Sequence, residues 1–274
     1  MNPELFGVFR KIADRVEGIK FESYYGPAMS DFMRDTAWEQ TWDIPSLLAH
    51  FPEANEELLV ADLGTGDGRI IKRLQDAGIN SQFVGIDTSE AAHLRFLKRQ
   101  KENGFSAHFL LADFLMDKTK LEEYDIAFFG SVSINGLHSI SLLRSLFDSA
   151  QGFLKDGGTL ILSVYTDDAV EKFPELNGVL DVTPYSSESG ESRLMWRGLQ
   201  YEGSAFRHNA YVEGAAGDAS GVICWERERV WSETELLEIA ALAGWKSIRR
   251  SVSSVADGGA EGFEVATLSF TRSA

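Results

Sequence analysis

The 274-residue sequence predicts an α/β fold: a doubly wound, mostly parallel sheet with helices on both faces, a helical N-terminal segment and an inserted antiparallel β-meander. Three observations predict it. From Leu58 to Tyr165 short apolar runs alternate with helical patterns. Those runs are apolar at consecutive positions, as strands covered on both faces must be. From about residue 190 to 231 the helical period disappears, and three strand-like runs follow one another.

The elements follow in order. "MNPELFGVFRKIADRVEGIK" reads as an amphipathic helix, with charges where a signal peptide needs its apolar centre. "FESYYGPAMSDFM" is turn-rich around Gly26-Pro27, and a helical stretch is expected from about Ser30 to Phe51, interrupted near Pro45. Trp38 and Trp42, one helical turn apart in that stretch, are expected to face the core. "LLVADLG" is a strand, and "RIIKRLQDAG" a helix with Ile70, Ile71, Leu74 and Ala77 on one face before Gly78 stops it. "SQFVGIDTS" is the second strand, "SEAAHLRFLKRQKENG" the next helix, "AHFLLADF" the third strand and "EYDIAFFG" the fourth. "SISLLRSLFDSAQGFLKDGG" is helical and "TLILSVY" is the fifth strand.

"SRLMWRGLQYEG", "SAFRHNAYVEG" and "GVICWERERVW" form the meander, joined by Gly203-Ser204 and by the small-residue loop "GAAGDASG". It carries Arg193, Trp196, His208, Tyr211, Trp225 and Trp231. A helix resumes at "SETELLEIAALAGW", with Ser232 as N-cap and Glu235 completing a capping box. "SIRRSVSSV" and "GFEVATLSFTR" finish the sheet as a hairpin, which brings it to seven strands.

Composition narrows the function. Hydrophobic residues make up 44 %, enough for a sizeable core, and no run approaches the ~20 apolar residues of a membrane helix. The single cysteine, Cys224, allows no internal disulfide, so a cytoplasmic protein is expected. The net charge of −16 repels a polyphosphate, which disfavours nucleic acid and suits a neutral or cationic small molecule. His50, His93, His108, His138 and His208 are scattered without ligand spacing, so no metal site is expected.

The chemistry concentrates in "LLVADLGTGDGRII". A dinucleotide fingerprint needs a third glycine where this chain has Arg69. The pattern present is Asp62, Gly64, Gly66 and Gly68, with Thr65 inside the turn, and no phosphate loop of the G-x-x-x-x-G-K-[ST] kind occurs. Glycine lets a turn pass close under a ligand, and the following helix N-terminus suits a carboxylate. Asp62 beside it suits an ammonium group. Carboxylate and ammonium together describe an amino acid.

With these residues the chain resembles the class I S-adenosylmethionine-dependent methyltransferases, whose first motif is a strand ending in an acid and G-x-G-x-G. The resemblance runs from about Leu58 to Tyr165 and touches four further places. "FVGIDTS" puts Asp87 and Thr88 at the end of the second strand, where a carboxylate can accept both ribose hydroxyls. "LLADF" puts Asp113 and Phe114 where the family holds adenine, and "GSVSING" puts Gly130 and Ser131 where cofactor and substrate meet. "FLKDGGTLIL" looks like the family's turn into its fifth strand.

The resemblance implies a Rossmann-like methyltransferase fold with S-adenosylmethionine as methyl donor. It further implies a helical lid over residues 1–52, a cofactor-binding core over 53–170 and 232–274, and an inserted substrate or dimerisation subdomain over 171–231. The expected reaction is methylation of a small molecule, an amine nitrogen ahead of oxygen or carbon; a non-catalytic cofactor-binding module is the alternative. Tyr24 and Tyr25 are candidates for closing the site, and His138 is the candidate base for an oxygen or carbon acceptor. Exposed strands in the insertion lead to an expected homodimer.

Overall fold

The computed structural model describes residues 4–52, 57–117, 121, 123–186, 190–214, 221–255 and 262–272. Its chain forms two compact units. The larger comprises residues 41–167, 231–255 and 262–274, and the smaller residues 1–40, 168–230 and 256–261.

The larger unit is built on β2 (Leu59–Leu63), β3 (Gln82–Asp87), β4 (His108–Leu111), β5 (Tyr124–Phe129), β6 (Leu154–Tyr165), β11 (Trp245–Ser254) and β12 (Glu264–Arg272). Its sheet runs β11-β12-β6-β5-β2-β3-β4. The strands from β6 to β4 pair in parallel, and β12 and β11 add an antiparallel hairpin. Strand order therefore reverses at β2 and β5, and the crevice beyond their carboxyl ends is where such sheets bind ligands.

Helices α4 (Arg69–Asp76), α5 (Glu90–Asn103), α6 (Ile140–Phe153) and α8 (Glu233–Leu242) connect the strands, with short α3 (Ile44–Leu48) before them. Ser89, Ser139 and Ser232 cap α5, α6 and α8 by accepting backbone N–H groups, and Glu235 completes the capping box. Gly104 ends α5 in left-handed backbone, φ +67°. Leu143, Leu146, Phe147, Leu160, Leu162, Leu236 and Phe270 form the middle of one continuous core. No helix among the described residues is long and apolar enough to cross a membrane.

The smaller unit has a five-stranded sheet, not a three-stranded one. β8 (Ser192–Glu202), β9 (Ala205–Val212) and β10 (Val222–Arg229) are the expected meander. β7 (Leu180–Ser186) pairs with β8, and β1 (Lys20–Ser23) pairs in parallel with β10. Most of the small-residue loop between β9 and β10, residues 215–220, lies outside the described residues. α1 (Gly7–Arg15) lies on this sheet through Phe9, whose ring occupies the space a side chain at Gly198 needs.

The N-terminal segment departs from expectation. "FESYYGPAMSDFM" contributes the strand β1 and then α2 (Pro27–Thr36), whose Met29 and Phe32 pack with Tyr24, Tyr185 and Met195. The expected helix from Ser30 to Phe51 is two helices, α2 and α3, and Pro45 stands in the first turn of α3, where a missing N–H costs nothing. Trp38 and Trp42 lie in the turns between them; Trp38 is buried and Trp42 half-buried. Trp231, expected in the meander, instead belongs to the core of the larger unit and is fully buried there.

Candidate active site

β2 buries every residue from Val60 to Leu63, so Asp62 is carried into the interior with only 2 % exposure. There its carboxylate accepts the Thr65 hydroxyl at 2.8 Å. Burial pushes the Asp62 carboxyl up to about 8, although the Thr65 hydrogen bond and the nearby Arg69 charge oppose that shift. The turn that follows is pinned to β3: the N–H groups of Gly64 and Thr65 both donate to the Ile86 carbonyl, at 2.8 and 3.1 Å.

The three glycines differ in what they do. Each has left-handed backbone, φ +68°, +58° and +85° at Gly64, Gly66 and Gly68. A Cβ at Gly64 would stand 2.9 Å from the Phe129 ring, and one at Gly68 2.8 Å from the rings of Phe96 and Phe105. Packing under the turn explains both. At Gly66 a Cβ would meet nothing within 4 Å, so this glycine faces open space. That open face, where Asp87 accepts the Gly66 N–H and Asp62 accepts the Thr65 hydroxyl, suits a ligand bearing an ammonium group and hydroxyls.

Asp87 ends β3 half-buried. Gly66 N–H donates to its Oδ2 at 3.0 Å and Ser89 N–H to its Oδ1 at 2.9 Å. A carboxylate oxygen has more than one lone pair, so Asp87 keeps acceptor capacity for a pair of hydroxyls. Thr88 beside it is exposed. Asp113 and Phe114 follow β4. Leu115 N–H donates to Asp113 Oδ1 at 2.8 Å, while the Phe114 ring is buried edge-on against Phe129, with centroids 5.4 Å apart.

Gly130 and Ser131 follow β5. Gly130 is buried, and a Cβ there would stand 2.7 Å from Ile70 Cδ1. The chain then makes a 3-10 turn, Ser133–Gly136, held by Trp231: its backbone N–H donates to Asn135 Oδ1 at 3.4 Å and its indole N–H to the Leu137 carbonyl at 3.0 Å. His138 comes next and is exposed, one residue before the Ser139 cap of α6.

Asp62, Gly64, Thr65, Gly66, Gly68 and Asp87 are thus one hydrogen-bonded and packed group. Asp113, Phe114, Gly130 and Ser131 stand at the ends of the flanking strands. Asp43 is an addition that sequence reasoning missed; Trp231 was expected in the meander and instead holds the loop after β5, and Arg69 had counted there only against a dinucleotide site. Arg69 and Asp43 form a buried two-pronged ion pair, Nη1 to Oδ1 at 2.9 Å and Nη2 to Oδ2 at 2.6 Å. Burial works against the guanidinium charge, but the bond to Asp43 outweighs it and raises the Arg69 pKa. The one sequence signal was an arginine at the start of a helix whose buried face is otherwise apolar.

Tyr24 and Tyr25 belong to the smaller unit. Tyr24 is buried against His208, ring centroids 5.2 Å apart, and burial pushes its phenol up to about 12. The Tyr25 hydroxyl donates to Glu228, whose other oxygen lies 3.3 Å from His208 Nε2.

Comparison with known proteins gives the family. The profile of a methyltransferase domain matches residues 54–202, just over half of the chain. Among solved structures, the CcbJ methyltransferase from Streptomyces caelestis is 18 % identical, with 96 % of each chain covered and a TM-score of 0.60. An amino pentose methyltransferase of calicheamicin biosynthesis from Micromonospora echinaspora, bound to S-adenosylmethionine, is 18 % identical over 97 % of this chain and 99 % of that one, TM-score 0.54. The glycopeptide N-methyltransferase MtfA, complexed with sinefungin, is 16 % identical over the whole of both chains, TM-score 0.58. No curated protein sequence matches the chain.

Proposed function

Because this chain belongs to the methyltransferase-domain family, we propose that it takes S-adenosylmethionine as its cofactor and methylates an amine nitrogen of a small molecule. Amino sugars, amino acids and peptide-derived natural products are the acceptor classes in view. The carrying observation is the open face over Gly66, in a turn bonded to Asp62 and Asp87 at the reversal point of the sheet. Two neighbouring folds whose acceptors carry amino groups, an amino pentose and a glycopeptide, support the nitrogen. The net charge of −16 is compatible with a cationic acceptor.

In this reading Asp62, Gly64, Thr65, Gly66 and Gly68 seat the amino-acid end of the cofactor. Asp87 and Thr88 hold its ribose, and Asp113 with Phe114 borders the adenine. Gly130 and Ser131 border the sulfonium. The bound cofactor supplies an already activated methyl group. The chain's own work is then to orient the acceptor and keep water away, which can account for roughly 7–11 kcal/mol of the barrier. Residues 1–52 act as a lid and residues 171–231 in acceptor recognition or self-association.

A neutral amine attacks through its own lone pair, and its proton leaves the methylated ammonium product afterwards. Tyr24, with its phenol near 12, is a donor and no base at neutral pH. His138, exposed just beyond the 3-10 turn after β5, is the candidate to take a proton from an oxygen or carbon acceptor. The test is incubation with methyl-labelled S-adenosylmethionine and a panel of amines, phenols and carbon acids. Label in the amines supports the proposal, and label in phenols or carbon acids overturns the nitrogen. Binding without transfer to any of them favours the non-catalytic module. His138→Ala should slow single-turnover methylation of an amine less than tenfold, whereas a base role predicts a loss of ~10²–10⁴-fold.

A further inference from the structure

Asp43, Arg69 and Ser131 come from three separate elements and share one buried set of hydrogen bonds. Asp43 immediately precedes α3, Arg69 opens α4 directly after the glycine turn, and Ser131 begins the loop after β5. Besides its two-pronged bond to Asp43, Arg69 Nη2 donates to Ser131 Oγ at 2.5 Å, and the Ser131 hydroxyl donates to Asp43 Oδ2. The side chains of Arg69 and Asp43 are 10 % and 4 % exposed. Charges taken out of water to that degree are retained only with their remaining hydrogen-bonding capacity met, and Ser131 meets part of it.

Ser131 is also in an unusual conformation. It and Val132 have φ of +51° and +52°, and they are the non-glycine residues with left-handed backbone among those described. L-residues avoid that region, β-branched valine most of all. Such backbone persists where its surroundings impose it, and it collects at sites of function. The hydroxyl bonds from Ser131 to the ion pair are a restraint of that kind, and they reach back to the first residue after the glycine turn.

We propose that Asp43, Arg69 and Ser131 form a positioning tether that fixes the loop after β5 against the glycine turn and so sets affinity for the adenosyl cofactor. The inference rests on the cofactor seat proposed at that turn. The Ser131 side chain is committed to Asp43 and Arg69, so it acts through the loop backbone. None of the three residues was assigned this role by its motif. The tether explains why an arginine stands where a packing glycine would make a dinucleotide turn.

The test uses S-adenosylhomocysteine as probe, titrated calorimetrically into the parent and into Ser131→Ala, Ser131→Gly and Asp43→Asn, with hydrogen exchange followed at residues 130–137. Ser131→Ala should weaken binding about 3–10-fold, the scale of one lost hydrogen bond, and accelerate exchange in the loop. Ser131→Gly should weaken it at least as much, although glycine accepts left-handed backbone freely. The Asp43→Asn/Ser131→Ala double variant should lose less than the two single variants' losses combined, because both side chains act within one network around Arg69.

Variants that melt earlier but bind the probe and exchange like the parent, when folded, reduce the network to a structural role and overturn the tether. Parental affinity in Ser131→Gly overturns it as well, since conformation alone would then suffice. A parent that does not bind the probe overturns the cofactor seat, and this inference with it; a parent that binds while every variant matches it overturns the tether alone.

Discussion

Asp62 is costly to the folded chain. Its carboxyl is held near 8 in the native state against an ordinary 3.8, so the folded protein keeps a proton that the unfolded chain releases. A raised carboxylate pKa has its stability in full below about pH 4, and that stability is lost as pH rises towards 8. Asp62→Asn removes this slope. The stability of the variant relative to the parent should increase between pH 4 and pH 8, measured by denaturant titration at each pH. A constant difference across that range would show that Asp62 ionises normally. The reason to keep so awkward an acid is its proposed partner, an ammonium group. The same variant should therefore bind S-adenosylhomocysteine more weakly even where it is the more stable protein, a trade common at functional sites. Asp87→Ala should also lose affinity for S-adenosylhomocysteine, by about 1.5–3 kcal/mol for each charge-assisted bond to ribose. Unchanged calorimetric affinity in a folded Asp87→Ala variant would remove it from the ribose site.

Elements carry the site by fitting closely beneath it. Gly85, in the middle of β3, lies directly under the glycine turn, and a Cβ there would stand 2.7 Å from Thr65 Cγ2 and 2.8 Å from its hydroxyl oxygen. Gly85→Ala should cost about 1–3 kcal/mol by overpacking. It should also loosen the Thr65–Asp62 bond, so probe affinity falls together with melting temperature; a stable variant with parental affinity would refute this coupling. Ser232→Ala, which breaks the capping box of α8 far along the chain, should cost about 1 kcal/mol and leave affinity untouched. Elements of this kind were legible in the sequence because their signals are local: apolar runs for strands, Ser232 and Glu235 for a cap, Gly104 for a stop. β1 and β7 were not. Each is short and of mixed polarity, and each is a strand only because β10 or β8 supplies its hydrogen bonds. Asp43 and Arg69 escaped for the same reason, being 26 positions apart with no periodic relation. Trp231 was misplaced because a tryptophan after a strand reads as part of that strand, whereas its indole caps the Leu137 carbonyl in another core.

For the molecule as a whole, self-association through the inserted sheet remains our proposal, on different residues from those first expected. Trp196 and Trp225 are half-buried, whereas Leu180 and Val182 on the edge strand β7 and Leu194 on β8 are exposed. An apolar sheet edge of this kind invites a second copy. Light scattering at micromolar concentration should give twice the 30.4 kDa chain mass, and Leu180→Lys with Val182→Lys should return it to one. A single-chain mass for the parent would refute the dimer. The pairing of β1 with β10 matters in another way, during synthesis. Lys20 has Val222 as its partner, so β1 waits for a strand translated some two hundred residues later. At about 5–20 residues per second that is roughly 10–40 s in which the amino-terminal segment has no sheet to join. The nascent chain can close the first strands of the larger unit while β1 is still unpaired, and a holding chaperone has its natural opening in that interval.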